Sequence, residues 1–279
     1  MGVFLCWALW GAAQSEEGNE IPRSTNESTM IGIGSYNLRD TYLSPSTRIN
    51  YTGWMARILN ERLKIVPLMD YRVSRQQIIN IEFGSTRNGA ETANEYAGFV
   101  DYSLGYHYRM KPLPGLQVLA GASARLMGGF IYNTRNSNNP VSGKGDFDLN
   151  LSAMAIYRLK IKNFPLTFRY QAEIPFAGVL FSVHKGQPYY FLTQGDTEGI
   201  VRFSSFHNKF VMKNYFTVDI PVADFTIRTG YLNSMYRTNV NGIRTHVLST
   251  AFMIGIVKEF ISFGGKRLRN THRYRSAYY

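Results

Sequence analysis

The sequence predicts a single antiparallel up-and-down transmembrane β-barrel of about ten strands. Long segments alternate apolar and polar side chains with a period of two, as strands do when their two faces meet different surroundings. Long polar links alternate with short links along the chain. No run of about 20 consecutive apolar residues occurs, so a chain that crosses a membrane would have to cross it as a closed barrel.

The composition and the placement of the cations argue against a nucleic-acid partner. Aromatic residues make up 14% of the chain and charged residues 18%, compared with a usual charged share of about 25%. The net charge of +12 would suggest nucleic-acid or anionic-membrane binding in a soluble protein. The cations, however, lie singly on strands and in loops, with a cluster only at the C-terminus. We therefore expect no nucleic-acid partner.

The N-terminal segment 1–13, MGVFLCWALWGAA, has the features of a secretory signal peptide cleaved near Ala13. It lacks the positively charged start of such signals, which leaves open that a few residues are missing. A short buried strand or helix is the alternative. Cys6 is the only cysteine and lies inside this segment, so the exported chain would contain no disulfide. Residues 14–28 are predicted to form a polar linker.

Residues 29–263 are predicted to form the barrel, and the clearest strand is EYAGFVDYSLGYHYRMKP, starting at Glu95. Tyr96, Tyr102 and Tyr106 fall on one face of this strand, whereas Asp101 and His107 fall on the other. The same alternation, clean in some segments and weak in the first two, predicts strands at about 30–41, 48–62, 74–86, 95–110, 115–131, 147–161, 165–175, 206–220, 224–237 and 244–260.

The links between these strands predict the orientation. Links after the fourth, sixth and eighth strands are tight and contain proline, whereas those after the first, third, fifth, seventh and ninth are longer and polar. In outer-membrane barrels the short turns face the periplasm and the long loops face outside. An even strand number then places both termini in the periplasm. The link after the second strand, LKIVPLMDYRVS, is longer than this scheme predicts.

The two strand faces predict two sets of residues. The outward set includes an aromatic girdle at the periplasmic interface, consisting of Tyr106, Tyr108, Tyr157, Phe168, Phe225 and Phe260. The inward set forms a polar network in the lumen, with Asp101, His107, Arg109, Arg125, Asp148, Arg158, Arg169, Glu173 and Arg228 as its main members and Arg57, Glu61, Glu82, Lys213 and Asp219 as further ones. Because a ten-stranded barrel is narrow, we expect a cross-linked plug, with a selective channel as the alternative.

Several stretches resemble a domain-of-unknown-function family of Bacteroidales outer-membrane β-barrel proteins. They are GSYNLRDTYLSP, YAGFVDYSLGYHYRMKPLPG, IPFAGVLFS, FMIGIVKEFISFGGKRL and the RSAYY ending. The resemblance covers nearly the whole exported chain. It implies a barrel in the cell outer membrane, and it implies neither a substrate nor catalytic residues.

The predicted function is binding, passive transport or envelope structure. A hydrolase at the extracellular rim is one alternative, with His184, His207 and His246 near Asp196 and Glu198, and a soluble periplasmic β-barrel binding protein is another. The chain contains no nucleophile elbow and no metal-spaced cluster of His and Cys, so we predict no cofactor and no metal and assign no catalytic residues.

Two local features complete the predictions. Pro175 lacks a backbone N–H and should bend or bulge the seventh strand. Residues 264–279 are predicted to be a basic periplasmic tail, either solvated or bound to a periplasmic or envelope partner. The remaining expected partners are outer-membrane lipid and the outer-membrane assembly machinery.

Overall fold

The computed structural model describes residues 23–44, 46, 49–162, 164–222, 225–261 and 276–278. These residues form eleven strands and one short helix: β1 Ser24–Asp40, β2 Tyr51–Val66, β3 Val73–Asn88, β4 Asn94–Leu113, β5 Leu116–Asn133, β6 Val141–Ile161, β7 Phe164–Phe181, α1 Tyr189–Thr193, β8 Val201–Ser204, β9 Lys209–Val222, β10 Phe225–Val240 and β11 Ile243–Ile261. The predicted signal peptide 1–13 lies outside the described residues, as does most of the linker.

Ten of these strands close into an antiparallel barrel. Each pairs with its neighbours in sequence, and β1 pairs with β11 from Ser24 opposite Ile261 to Asp40 opposite Thr245. The short strand β8 pairs only with the C-terminal residues of β7, from Gly178 to Phe181, and lies outside this ring. The prediction of an up-and-down barrel of about ten strands is therefore confirmed.

The two ends of the barrel differ in the length of their links. We call the end that carries the segments 41–50, 89–93, 134–140 and 182–208 the loop end, and the opposite end the turn end. One predicted loop is wrong, because β10 and β11 are joined by only two residues, Asn241 and Gly242. Both have positive φ, 52° and 76°. Asn-Gly is the sequence that a tight hairpin turn of this kind prefers.

Strand boundaries also differ from the predictions. β1 begins at Ser24, so the last residues of the predicted linker are strand. β6 begins at Val141 instead of residue 147, and β7 continues to Phe181 beyond its predicted end at residue 175. The ladder between β6 and β7 shifts register where Asn150 faces Pro175 and Leu149 faces Ala177, which leaves Phe176 as the bulged residue. This bulge agrees with the prediction made from Pro175.

The outer surface of the barrel is apolar, and the interior contains the charged residues. Large apolar side chains point outward with high exposure, among them Ile33 at 74%, Ile31 at 61% and Phe252 at 58%. Arg169, Arg228 and other charged side chains are buried inside. A soluble β-barrel has the opposite distribution, with its apolar side chains inside. Among the described residues, no helix is long and apolar enough to cross a membrane.

Loops fold over the loop end and form an apolar cap. Tyr42, Leu43 and Val183 are buried in the core cluster under the loops. Tyr42 packs edge-on against Tyr189, with ring centroids 5.7 Å apart, and its hydroxyl donates a hydrogen bond of 2.9 Å to the backbone carbonyl of Gln187. The Gly143 backbone N–H donates to the Tyr189 hydroxyl at 2.6 Å. We call Tyr42, Leu43, Val183, Gln187 and Tyr189 the outer cap.

Candidate functional site

A layer of charged side chains fills the middle of the barrel between two apolar layers. The loop-end apolar layer extends from the outer cap down to Met30 and Leu59, and the turn-end layer contains Leu63, Leu119, Ile156 and the penultimate residue Tyr278. Because successive residues of a strand face opposite sides, one inward charge on each of several strands is enough to build the charged layer. The described contacts divide it into three clusters.

The turn-end cluster is centred on Glu61 of β2. Arg169 of β7 binds both carboxylate oxygens of Glu61, at 2.5 and 2.6 Å. Arg228 of β10 lies 3.3 Å from Glu61 and binds Asp219 of β9 through two nitrogens, at 2.7 and 2.8 Å. Gln76 of β3 donates to Glu61 at 2.6 Å. The cluster therefore joins strands from both sides of the barrel with charge-assisted hydrogen bonds.

Residues 276–278 enter the barrel at this cluster. Tyr278 is fully buried, and the guanidinium carbon of Arg228 lies 4.5 Å from the centre of its ring. Arg158 donates to the Tyr278 carbonyl at 3.1 Å, and Gln117 donates to the Ala277 carbonyl at 3.0 Å. The prediction of a solvated tail therefore fails for residues 276–278, because an aromatic ring over a buried guanidinium is favourable. Residues 264–275 of that tail lie outside the described residues.

The central cluster lines the barrel wall. Arg57 of β2 forms an ion pair with Glu82 of β3 and donates to Ser249 of β11 at 2.8 Å. Lys213 of β9 reaches across to Asp101 of β4, with a distance of 2.7 Å. Glu173 of β7 accepts hydrogen bonds from Ser123 and from Asn150, the latter at 3.1 Å.

The loop-side cluster combines two cations with two carboxylates. Arg125 of β5 binds Asp146 and Asp148 of β6 at 3.1 and 2.8 Å. Lys209 of β9 binds the same two carboxylates at 2.7 and 2.8 Å. Nearer the outer cap, Asp40 of β1 forms an ion pair of 2.6 Å with Lys144 of β6. These pairs leave the layer almost balanced in charge.

One small cavity lies inside the barrel between the central cluster and the loop-end apolar layer. It has a volume of about 60 Å³, enough for a few water molecules. Its lining combines charged groups, including Asp101, Arg125 and Lys213, with apolar side chains such as Phe99 and Leu232. The charged side chains thus leave little free space in this part of the lumen.

Most predicted lumen residues point into this layer. Asp101, Arg125, Asp148, Arg169, Glu173 and Arg228 are all buried in its clusters. His107 is fully buried, and neither of its ring nitrogens has a hydrogen-bond partner among the described residues. Arg109 and Arg158 lie at the turn-end mouth, half-buried and exposed respectively.

Sequence reasoning missed five buried charged groups of the interior: Asp40, Glu95, Lys144, Asp146 and Lys209. Asp146 and Lys144 were missed because β6 begins at Val141, before the predicted start at residue 147. Glu95 and Lys209 lie inside predicted strands and have the parity of Asp101 and Lys213, so a full reading of the alternation would have found both.

The six predicted girdle residues all point outward. Tyr106, Tyr108, Tyr157, Phe225 and Phe260 are 37 to 45% exposed, and Phe168 is half-buried opposite Tyr157. Their position on the outer surface agrees with the predicted face, and their membrane role stays a prediction.

The histidines of the hydrolase alternative have separate surroundings. The His184 ring contacts the backbone carbonyl of Glu198 at 3.0 Å, and the His207 ring stacks on Phe203. His246 lies on the outer face of β11 between Arg39 and Arg237. Asp196 accepts a hydrogen bond from Gln187 instead of from a histidine. In the described part of the chain, no group of three or more His, Cys, Asp or Glu residues could hold a metal ion.

Two titratable groups of the outer cap are perturbed. Burial raises the pKa of Tyr42 from 10 to about 12, and the charge of Asp40 contributes in the same direction. Burial also raises the pKa of Tyr189. Both hydroxyls therefore stay neutral donors at physiological pH.

The geometry defines a closed, internally charged antiparallel β-barrel. A family model described as "Protein of unknown function (DUF3316)" matches residues 2–267, and the chain belongs to this family. The description names no organism, so the resemblance to proteins of Bacteroidales stays a prediction. A search of curated proteins found no significant match.

Solved structures similar to the chain are barrels of low sequence identity. The outer membrane protease OmpT from Escherichia coli matches with a TM-score of 0.47 and 9% identity, covering 88% of this chain and 100% of that one. The translocator domain of the autotransporter NalP from Neisseria meningitidis matches with a TM-score of 0.43 and 8% identity, covering 91% and 94%. The transport unit of the autotransporter AIDA-I from Escherichia coli gives 0.43 and 8%, covering 90% and 93%.

Proposed function

We propose that the protein is a closed outer-membrane β-barrel that anchors its outer cap at the cell surface and does not serve as a diffusion pore. The observation that carries this proposal is the distribution of charge. Apolar side chains cover the outside of the barrel, whereas paired arginines, lysines and carboxylates fill its interior. Such a distribution suits a barrel with lipid around it, because lipid offers no partner for charge.

The barrel is long enough to span a bilayer and to extend beyond it. The ten barrel strands contain 14 to 21 residues, as β9 and β6 illustrate, whereas about 9–11 residues cross the apolar region. The excess length supports ribbons that project at the loop end, where β7 and β8 form a hairpin extension. We infer that the loop end faces the cell exterior, since long loops face outside in barrels of this kind. Tyr106, Tyr108, Tyr157, Phe168, Phe225 and Phe260 would then form the aromatic girdle at the periplasmic side.

Three barriers in series support closure. The outer cap covers the loop end, the charged layer fills the middle, and Tyr278 occupies the turn end. A solute that crossed the barrel would have to break buried ion pairs, which leaves uncompensated charges at a cost of about 3–5 kcal/mol for each pair. Envelope structure or binding at the surface is therefore a better supported function than transport.

The other predicted functions have less support. The soluble periplasmic barrel requires a polar exterior, and the exterior of this barrel is apolar. The rim hydrolase requires a base next to a nucleophile or water-activating group. His184, His207 and His246 each contact a different neighbour, none of which is such a group.

Protease accessibility of inserted cleavage sites tests this proposal. One site follows Asn138 in the 134–140 loop, and the matched site replaces the turn at Lys162 between β6 and β7. In intact cells we expect cleavage at Asn138 only, and cleavage at Lys162 only after the outer membrane has been opened. If Lys162 were cut first, the orientation would be reversed; if both sites were protected until opening, the protein would not reach the surface.

A further inference from the structure

A patch of outward cations lies at the loop end on three adjacent strands. Arg39 of β1 and Arg237 of β10 are both paired in register with His246 of β11. Since neighbouring strands are about 4.8 Å apart, the Cα atoms of the two arginines are about 10 Å apart, with the histidine between them. Arg244 projects from the same face of β11, two residues further along. We call Arg39, Arg237, Arg244 and His246 the rim patch.

These side chains point away from the barrel interior. The residues that flank Arg39 along β1, Leu38 and Asp40, are 0% and 1% exposed, so Arg39 faces outside. Arg237 and Arg244 are exposed, and His246 is half-buried. Two further cations surround the tip of the β10–β11 hairpin. The backbone N–H of Lys185 donates to the Asn241 carbonyl at 3.1 Å, and Arg202 donates to the Asn241 side chain at 3.2 Å.

The arginines of the rim patch form no ion pair with the described residues. Arg39 donates to the neutral Asn50 side chain at 2.8 Å, and none of the three arginines of the patch has a described carboxylate within 4.0 Å. Two outward cations elsewhere are paired, Arg62 with Glu27 at 2.9 Å and Arg87 with Glu91 at 3.3 Å. What distinguishes the rim patch is that three arginines lie together on neighbouring strands. Like charges on neighbouring strands repel each other, so an external anion would stabilise the rim patch.

Two rows of outward residues separate the rim patch from the apolar surface. The first row along the same three strands is mixed and consists of Asn37, Leu248 and Met235. The second row is neutral and polar and consists of Ser35, Thr250 and Asn233, of which Asn233 donates to Thr250 at 2.9 Å. They are followed by the exposed apolar residues Ile33, Phe252 and Tyr231. From Ile33 to Arg39 the strand rises about 20 Å. The face thus runs from an apolar row through a neutral polar row and a mixed row to the cationic rim patch.

From this sequence of layers we propose that the rim patch binds the phosphorylated headgroup of a glycolipid in the outer leaflet. Acyl chains would lie against Ile33 and Phe252, sugar hydroxyls would bond to the neutral polar residues, and phosphates would bind the three arginines. Arginine suits this role, because its planar guanidinium binds phosphate through two nitrogens. This inference rests on the proposed outer-membrane location and goes beyond it by naming a ligand class and a site.

A binding titration with a defined lipid tests the site. The full chain, purified in detergent micelles, is titrated with lipid A that carries two phosphate groups, and bound lipid is counted by native mass spectrometry. The test variant carries Arg39→Gln, Arg237→Gln and Arg244→Gln. The matched control carries Lys64→Gln, Arg75→Gln and Lys258→Gln, three outward cations near the turn end. Single Arg237→Gln and Arg244→Gln variants are measured as well, in case the triple variant folds poorly.

We expect the test variant to lose affinity at least about tenfold and the control to stay within about twofold of the wild type. Each single variant should lose part of the affinity, and dephosphorylated lipid A should bind as weakly to the wild type as the intact lipid binds to the test variant. Equal losses of lipid A affinity in the test and control variants would overturn the proposed site. An unchanged affinity of the test variant would overturn it as well. Displacement of lipid A by inorganic phosphate at equal concentration would indicate a free-anion site instead.

These outcomes are independent of the proposed topology. Binding in micelles does not depend on which end of the barrel faces outside. Loss of the lipid site would leave the closed barrel intact, whereas cleavage of Lys162 in intact cells would contradict the orientation even if the rim patch bound lipid.

Discussion

Glu61 is the residue on which the turn-end cluster depends, because one carboxylate faces two buried guanidinium groups. Arg169 and Arg228 are 1% and 0% exposed, so neither can gain a water partner when Glu61 is neutralised. Arg228 would keep Asp219, but Arg169 would be left with neutral partners such as Gln171. A buried charge without its partner is much more costly than a pair that was never formed.

We therefore expect Glu61→Gln to lower the free energy of unfolding by about 3–5 kcal/mol. The measurement is urea unfolding of the folded barrel in lipid vesicles. Glu27→Gln is the matched control, since Glu27 forms its pair with Arg62 at the outer surface, where an ion pair contributes about 0–1 kcal/mol. A similar loss of unfolding free energy in both variants would mean that the buried ion pairs of Glu61 contribute no more stability than the surface pair of Glu27.

The sequence predicts which residues belong to such clusters, but it does not predict which of them pair with each other. Alternation places Glu61, Arg169 and Arg228 on the inward face, and all three were predicted there. That Arg169 on β7 meets Glu61 on β2 depends on the stagger of the strands around the barrel, which no local pattern contains. His107 shows the same limit, because its face was predicted while its lack of a hydrogen-bond partner was not.

At the scale of elements, the strands were predictable and several of their ends were not. A two-residue period over ten or more residues identifies a strand, but at its ends the inward residues become small or polar, as in VSGKGD at the start of β6. Asn241-Gly242 is a typical sequence of a tight hairpin turn. The polar residues on either side of it led instead to the prediction of a longer loop. The sequence did not predict that the C-terminal tail enters the barrel, because a segment such as RSAYY is equally typical of a solvated chain end.

The outer cap should open at high pH. The pKa of Tyr42 is raised from 10 to about 12, so the neutral hydroxyl is favoured in the folded state. The stability that this group contributes is complete below pH 10 and is lost as the pH rises towards 12. We expect cleavage within residues 182–208 by an alkali-tolerant protease to increase over this interval. The Tyr42→Phe variant, which cannot ionise at this position, should lack that step; an identical step in the variant would exclude Tyr42 as its cause.

The C-terminal residues should stabilise the turn end through the ring of Tyr278. Tyr278→Ala removes the ring that lies 4.5 Å from the Arg228 guanidinium, at a cost of about 2 kcal/mol for a desolvated cation–π contact. Tyr278→Phe keeps the ring and removes the hydroxyl, which lies 3.4 Å from the Thr217 hydroxyl. In urea unfolding, the alanine variant should therefore be clearly less stable than the phenylalanine variant. Equal stabilities would show that the tail only occupies space.

At the scale of the whole molecule, the barrel has the reverse of a soluble protein's arrangement. Its apolar surface faces outward, and its charges neutralise one another inside. Cross-barrel ion pairs connect strands that are distant in sequence, such as β4 with β9 through Asp101 and Lys213. The same pairs that fix the barrel shape also obstruct its lumen, so stability and closure have one physical origin.

Because paired charges obstruct the lumen, we predict that the barrel does not conduct ions. In planar bilayers the wild-type chain should show no discrete conductance steps over a range of voltages, because the described ion pairs of the charged layer cross the lumen. Tyr278→Ala should remain silent too, since it removes one of three barriers and leaves the charged layer and the outer cap in place. A sixteen-stranded porin in the same bilayers is the positive control, as its wide lumen conducts. Porin-like steps from the wild type would contradict a closed barrel, and steps from the Tyr278→Ala variant alone would identify the tail as the main barrier and the charged layer as permeable.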